Sequence, residues 1–115
     1  MIIKKNTPFT KEEIIEVSSE FGGYVKTVID VERKICVAGM PIHFDGEKML
    51  IEDGSRQSDI WGGGIDLNNR GKVDFNSFIN IKPNDNNDSN EILDSKLRES
   101  YSNLTKYFFE ESNEQ

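Results

Sequence analysis

With 115 residues, the chain is long enough for one domain, residues 1–115, and too short for two of ordinary size. Its net charge is −7 and its densest basic run is Lys4-Lys5, so the sequence lacks the clustered cations that bind nucleic acid or an anionic membrane. We therefore expect a protein or small-molecule partner, not a nucleic acid or a membrane. Self-association into a homo-oligomer stays open.

Cysteine usage and hydropathy predict a cytoplasmic protein. The single cysteine, Cys36, lies in an apolar run and has no second thiol for an internal disulfide, which fits a reducing compartment. The first residues do not have the pattern of a signal peptide. No stretch approaches the 18 or so apolar residues that a membrane-spanning helix requires.

The first predicted element is a helix that begins after Thr10. Thr10 and Glu13 have the spacing of a capping box, in which each side chain bonds the other residue's backbone N–H. Phe9 and Ile14 occupy the positions of a hydrophobic staple on either side of it. Gly22-Gly23 ends the helix, because glycine adopts positive φ at little cost.

Two strands are predicted next, followed by a segment with two interpretations. Residues 24–31 are rich in β-branched side chains, and residues 35–38 are their expected antiparallel partner. The run 42–52 is either a hairpin that turns at Asp45-Gly46 or a short helix that Asp45 caps and that ends near Gly54. We favour the helix.

The second half of the chain predicts a hairpin and a final helix. Residues 65–67 and a long strand from residue 72 to residue 81 alternate apolar and polar side chains around an Asn/Gly turn. Residues 84–90 are nearly all polar and predict a loop that adds nothing to the core. Asp94 is placed to cap the last helix, and residues 110–115 are expected to fray, since acidic residues there oppose the helix dipole.

Together these elements predict an α+β domain in the order α-β-β-(α)-β-β-α. A mainly antiparallel sheet of about four strands would carry an N-terminal and a C-terminal helix packed on it.

The sequence His43-x-Asp45-x-Glu47 contains the only histidine and is the strongest candidate for chemistry. An imidazole and two carboxylates suit a divalent metal such as zinc, manganese or iron. On a strand all three side chains would share one face, whereas on a helix only His43 and Glu47 would. The preference for a helix therefore weakens the metal interpretation, and a solvated histidine beside a capping aspartate is the simpler reading.

A second candidate is the glycine run that follows Trp61. Three consecutive glycines at residues 62–64 favour either close approach of backbone to a ligand or a loop that needs positive φ, with the indole covering the edge of the core. We favour the loop. We expect partial convergence on one candidate pocket for a set of polar and aromatic side chains, namely His43, Asp45, Glu47, Gln57, Trp61, Asn80 and Lys82.

Five short motifs, taken in order, resemble a family of small prokaryotic proteins that is catalogued as a domain of unknown function. The matching residues are Asp30-Val31-Glu32-Arg33-Lys34-Ile35, His43-x-Asp45-x-Glu47 with Leu50, Gly54-Ser55-x-Gln57, Ile60-Trp61-Gly62 and Phe75-x-Ser77-x-Ile79-Asn80-Ile81-Lys82-Pro83. The resemblance covers roughly residues 10–105. The resemblance implies a set of related proteins and does not indicate a particular reaction. The chain departs from the family in the polar run 84–90, where the family has a basic, glycine-containing segment, and in the residues after Trp61-Gly62.

The sequence leads us to expect a non-enzymatic binding or interaction module, whose contact surface includes residues 43–61. The alternative is a small metal-assisted hydrolase that uses His43, Asp45 and Glu47 as metal ligands. A third reading is an accessory protein that docks a basic partner through its acidic surface.

Overall fold

A computed structural model describes residues 1–113, and it confirms the α+β class. The strands are β1 (Ile3–Lys5), β2 (Tyr24–Asp30), β3 (Ile35–Ala38), β4 (Ile60–Asp66) and β5 (Lys72–Asp74). The helices are α1 (Lys11–Ser18), α2 (His43–Glu52) and α3 (Ser95–Phe108), with several short 3₁₀ turns between elements. Within the described part of the chain, no helix is both long enough and apolar enough to cross a membrane.

The sheet has five strands in the order β1-β3-β2-β4-β5, and every neighbouring pair is antiparallel. The predicted count of about four strands missed β1, in which Ile3 pairs with Ala38 and Lys5 with Cys36. Three residues that end in two lysines are too few to show an alternating pattern. The β2–β3 hairpin lies where the sequence predicts it.

The ends of α1 and α3 also confirm the sequence patterns. Thr10 and Glu13 form both bonds of the capping box, at 3.1 Å and 2.9 Å. Gly22 ends the first helical segment with φ of 62°. Asp94 caps α3 by accepting a hydrogen bond from the Leu97 N–H at 2.8 Å.

The helices cover opposite faces of the sheet. Apolar side chains of α1 and α3 pack with alternate residues of β2 and β4 in the larger core, for example Val17 and Tyr101 against Val25. Leu50 of α2 packs with Val28 of β2 in a smaller core on the other face. Part of this second face remains open, as a groove beside the start of α2.

The segment 42–52 is a helix, as favoured, but Asp45 does not cap it. The helix begins at His43, and the preceding residue, Ile42, makes no side-chain capping bond. Gly46 lies inside the helix and against the sheet, where an added Cβ would be 2.7 Å from Met40 Sδ and 2.9 Å from Val28 Cγ2. The glycine lets α2 approach β2 closely instead of making a turn.

The glycine run also differs from its prediction as a loop with positive φ. Gly62, Gly63 and Gly64 lie within β4, paired with β2 in the middle of the sheet. An added Cβ would meet the Asp74 carbonyl oxygen at Gly63, the Tyr24 hydroxyl at Gly64 and the Ser77 side chain at Gly62. Glycine is needed at these three positions because neighbouring groups lie so close to the strand that no room is left for a Cβ.

The long strand predicted for residues 72–81 stops at Asp74. Ser77 caps a 3₁₀ turn, Phe78–Asn80, by accepting a hydrogen bond from the Ile79 N–H at 3.2 Å. The alternation of apolar residues in this segment therefore reflects a turn that presents Phe78 to solvent and Ile79 to the smaller core.

The polar segment 84–90 contributes more to the interior than we expected. Asn87 is only 3% exposed. Its Nδ2 donates to the carbonyl oxygens of Asn80, Ser89 and Glu91, and its Oδ1 accepts from the Leu93 N–H. The buried side-chain amide of Asn87 thus makes hydrogen bonds to the backbone that regular secondary structure would otherwise provide in this segment. At the other end of α3, residues 110–113 form a 3₁₀ turn, and residues 114–115 of the tail lie outside the described residues.

Candidate functional site

A groove of about 580 Å³ opens on the α2 face of the sheet, between the start of α2 and the 3₁₀ turn Phe78–Asn80. Its walls are mainly apolar. The apolar lining consists of Pro41, Ile42, Phe44, Phe78, Ile79 and Ile81. The polar lining consists of Lys26, His43, Glu47, Gln57 and Ser77.

The rim of the groove exposes four large apolar side chains, although the chain as a whole is acidic. Phe78 is 85% exposed, Phe44 59%, Ile42 54% and Ile81 45%. They stand on two facing elements, α2 with its leading residues and the segment 78–81. Contiguous exposed apolar surface of this kind marks a contact site more often than isolated surface residues do.

The lack of a side chain at Gly62 leaves room for His43 and Ser77 to lie against β4 and form the floor of the groove. A Cβ at this position would be 2.8 Å from Ser77 Cβ and 3.1 Å from His43 Cδ2. Because the glycine has no side chain, the helix that carries His43 and the turn that begins after Ser77 converge over the sheet.

His43 is the first residue of α2 and is held against the backbone of β4. Its Nε2 lies 2.7 Å from the Gly63 carbonyl oxygen, and since a carbonyl only accepts, Nε2 carries a proton. Burial lowers the pKa of His43, while the bond to Gly63 opposes the shift; Lys26 lowers the pKa further and Asp74 raises it. At neutral pH the ring is therefore neutral, with Nδ1 as its acceptor.

Lys26 and Asp74 lie on the same face of the sheet, on either side of Gly64. Both are paired in register with Gly64, Lys26 on β2 and Asp74 on β5. The Tyr24 hydroxyl donates to Asp74 Oδ2 at 2.5 Å, and burial together with this carboxylate raises the pKa of Tyr24. Gly64 thus lies between one cation and one anion on this face.

Glu47 lies one turn along α2 from His43 and also lines the groove. It is only 6% exposed, and its Oε2 has no hydrogen-bond partner among the described residues. Buried acceptors are nearly always bonded in folded proteins. The carboxylate is therefore the least satisfied group in the site.

Lys82 is almost fully buried and makes two contacts inside the protein. Its ammonium donates to the Ile79 carbonyl oxygen at 2.9 Å and lies 5.1 Å from the centre of the Trp61 ring, a cation–π arrangement. Burial lowers the pKa of Lys82, and the carboxylates of Glu47 and Asp85 oppose the shift.

The seven residues expected to form one pocket are divided by the structure. His43, Glu47 and Gln57 line the groove. Trp61 lines a separate cleft that faces Glu32, Asp59 and Asp85. Asn80 and Lys82 are buried and bonded to backbone carbonyls, and Asp45 does not line the groove.

The three-ligand metal arrangement requires an extended backbone at residues 43–47, and the structure has a helix there. On a helix, residues two apart point in very different directions, so Asp45 is separated from His43 and Glu47. Among the described residues, no group of three or more His, Cys, Asp or Glu side chains is placed to hold a metal ion.

The sequence interpretation missed the apolar half of the site. Ile42, Phe44, Phe78 and Ile81 look like ordinary core residues in a sequence, because apolar side chains are usually buried. Lys26, in the middle of a β-branched strand, was the one available signal: a charge at that position indicates an uncovered part of the sheet.

The fold and groove define the class as an α+β domain with helices on both faces of an antiparallel sheet and an open apolar site on one face. Residues 1–108 match the family described as "Protein of unknown function (DUF5674)", and the chain belongs to that family. The resemblance to a family of unknown function is thereby confirmed. No curated protein matches the chain. No solved structure matches it.

Proposed function

We propose that this protein is an interaction module that holds an apolar segment of a partner protein in the groove between α2 and residues 77–81. The observation that carries the proposal is the set of four large apolar side chains exposed around this groove. The surface overlaps the predicted contact segment 43–61 at His43, Phe44, Glu47 and Gln57. It adds the segment 77–81, which the sequence interpretation did not include.

The groove is supported as a preformed site by the bonds behind its walls. Asn80 ties the 3₁₀ turn to Gly62 of β4 through two hydrogen bonds, at 2.8 Å and 2.9 Å. His43 ties the start of α2 to Gly63 of the same strand. A preformed site loses little conformational entropy on binding.

A partner protein explains the rim better than a small molecule does. A small ligand is usually enclosed by its pocket, whereas Phe78 and Phe44 project from the rim with most of their surface exposed. Projecting aromatic side chains are typical anchors of protein interfaces. A second copy of this chain is less favoured as the occupant, since each copy carries a net charge of −7.

Selection from a random dodecapeptide library on the immobilised protein tests the proposal. The selected peptides are labelled, and their binding to the wild type, Phe78→Ser and Ile15→Ser is compared by fluorescence anisotropy. Ile15 is the matched control, because it is 65% exposed but belongs to α1 on the opposite face. We expect Phe78→Ser to weaken peptide binding about 30-fold or more, because it removes an aromatic anchor that the bound peptide would bury, as at interface hot spots.

Two results would overturn the proposal. One is a set of selected peptides that bind Phe78→Ser as tightly as the wild type while Ile15→Ser loses them, which would place the contact surface on α1. The other comes from light scattering: a wild-type dimer that becomes a monomer in Phe78→Ser would identify the occupant as a second copy of the chain.

A further inference from the structure

We infer that the partner segment presents a lysine or arginine side chain to Glu47, next to the apolar residues that fill the groove. This inference rests on the proposed function and specifies the chemistry of the occupant. It starts from the unpartnered Oε2 of Glu47, a side chain that is 94% buried yet lines the groove.

A buried carboxylate oxygen without a donor is unfavourable in the free protein. Oε2 itself is enclosed, so a partner would act on the charge of the carboxylate from its groove side, and retention of that charge at an apolar wall is explained if a cation arrives with the partner. Lysine and arginine are the side chains that combine a cationic donor with a long apolar stem, and the stem would lie along the apolar walls. A charged donor also gives the stronger bond to a carboxylate.

Lys82, a buried cation close to Glu47, does not remove this need. Lys82 is near enough for Glu47 to affect its pKa. Its ammonium, however, donates to the Ile79 carbonyl oxygen and lies over the Trp61 ring. Lys82 therefore reduces the cost of burying Glu47 without bonding Oε2.

Lys26 is the cation that would oppose a basic partner residue, because it lines the same groove. Across the sheet face it is matched by Asp74, in register through Gly64. His43, which also lines the groove, is neutral at pH 7 because burial lowers its pKa. The groove itself is thus nearly balanced, and the overall charge of −7 favours approach of a basic partner.

The test uses three capped dipeptides that share an aromatic anchor and differ in charge: acetyl-Phe-Lys amide, acetyl-Phe-Gln amide and acetyl-Phe-Glu amide. Binding is measured from the amide shifts of Phe44 and Phe78 in ¹⁵N-labelled protein. We expect the lysine dipeptide to bind about fivefold or more tightly than the glutamine dipeptide, and the glutamate dipeptide to bind most weakly. A fivefold difference in affinity is the size expected for one charge-assisted bond at a partly open site.

Three variants locate the preference. Glu47→Gln is expected to bring the lysine-to-glutamine ratio to about 1, since it removes the acceptor charge. Lys26→Gln is expected to tighten binding of the lysine dipeptide. Glu52→Gln is the matched control: it removes the same charge from an exposed position of the same helix, so the ratio should be unchanged.

The outcomes separate this inference from the proposed function. Equal binding of all three dipeptides in the groove would leave the interaction module standing and overturn the charge preference. Tightest binding of the glutamate dipeptide would also overturn it and identify Lys26 as the anchor. If no dipeptide shifts Phe44 or Phe78, both the groove and the charge preference fail.

Discussion

The Asn80 side chain pairs with the backbone of Gly62 as a neighbouring strand would. Its Oδ1 accepts from the Gly62 N–H at 2.8 Å, and its Nδ2 donates to the Gly62 carbonyl oxygen at 2.9 Å. β5 pairs with β4 only at residues 64–66, so the outer edge of β4 at Gly62 has no strand beside it. Asn80 satisfies that edge and at the same time fixes the turn that forms one wall of the groove.

Replacing this amide by a carboxylate should destabilise the protein strongly. Nδ2 of Asn80 also faces the carbonyl oxygens of Phe75 and Asn90, at 3.0 Å and 3.2 Å. Asn80→Asp would place an oxygen against three carbonyl oxygens in a fully buried position. We expect a loss of about 3 kcal/mol or more in the free energy of unfolding, measured by urea denaturation.

Asn84→Asp is the control for Asn80→Asp. It makes the same chemical change at an exposed residue of the following turn, and it should stay within about 0.5 kcal/mol of the wild type. Similar losses for the two variants would contradict the role assigned to the Asn80–Gly62 pair.

Gly63 should tolerate no side chain, for a different physical reason from Gly22. A Cβ at Gly63 would lie 2.2 Å from the Asp74 backbone oxygen, and a backbone cannot move aside without separating β4 from β5. We expect Gly63→Ala to cost about 3 kcal/mol or more by overpacking. Gly22→Ala meets nothing within 4 Å and has φ of 62°, so it should cost about 1 kcal/mol.

The comparison of these two variants by thermal or urea unfolding separates steric from conformational effects. If Gly63→Ala were no more destabilising than Gly22→Ala, the close approach of Asp74 to β4 would be contradicted. The central position of the glycine run in the sheet would then have no packing explanation.

The parts of the fold that the sequence predicts are those with local physical signals. The Thr10–Glu13 capping box and the Asp94 cap are short-range patterns, and both form as expected. The first hairpin was also predictable, since β2 and β3 come from β-branched and apolar runs in adjacent stretches of chain. In each case the interactions that decide the structure lie within a few residues of one another.

The parts that the sequence interpretation missed depend on distant partners. Gly62–Gly64 reads as a loop because glycine has low strand propensity, yet Tyr24, Ser77 and Asp74 lie on that strand. Phe78 falls within the strand predicted for residues 72–81 and is the most exposed large apolar residue described. For the site, His43 and Glu47 line the groove from one helix, the geometry that the helical interpretation of residues 42–52 gives them, whereas the apolar walls required the tertiary structure.

Titration of His43 should give a midpoint below the ordinary value of about 6.5. The chain contains one histidine, so the ring signals in proton NMR are unambiguous. Burial is the main cause of the lowered pKa, and Lys26 adds to it. Lys26→Gln should therefore raise the midpoint, and Asp74→Asn, which removes the nearby anion, should lower it further.

The lowered pKa of His43 also predicts how the stability of the folded protein depends on pH. The unfolded chain binds a proton at His43 near pH 6.5, whereas the folded protein binds it only at lower pH. The unfolded state therefore holds more protons in this range, and the contribution of neutral His43 to stability is full above pH 6.5 and falls as the pH drops below it. A His43 midpoint at or above 6.5 would contradict the burial of the ring against Gly63.

Glu47 should contribute little to the stability of the free protein, because its buried Oε2 has no hydrogen-bond partner in the part of the chain that the structure describes. Glu47→Gln removes the cost of burying a charge and also removes the attraction to Lys82. These effects oppose each other, so we expect the free energy of unfolding to change by no more than about 0.5 kcal/mol, or to rise. Glu13→Gln is the contrasting variant: it changes one bond of the capping box and the ion pair with Lys5, and it should lower stability by about 0.5–1 kcal/mol. A loss above about 1 kcal/mol for Glu47→Gln would mean that this carboxylate is retained for the fold, and its place in the groove would no longer require a basic partner.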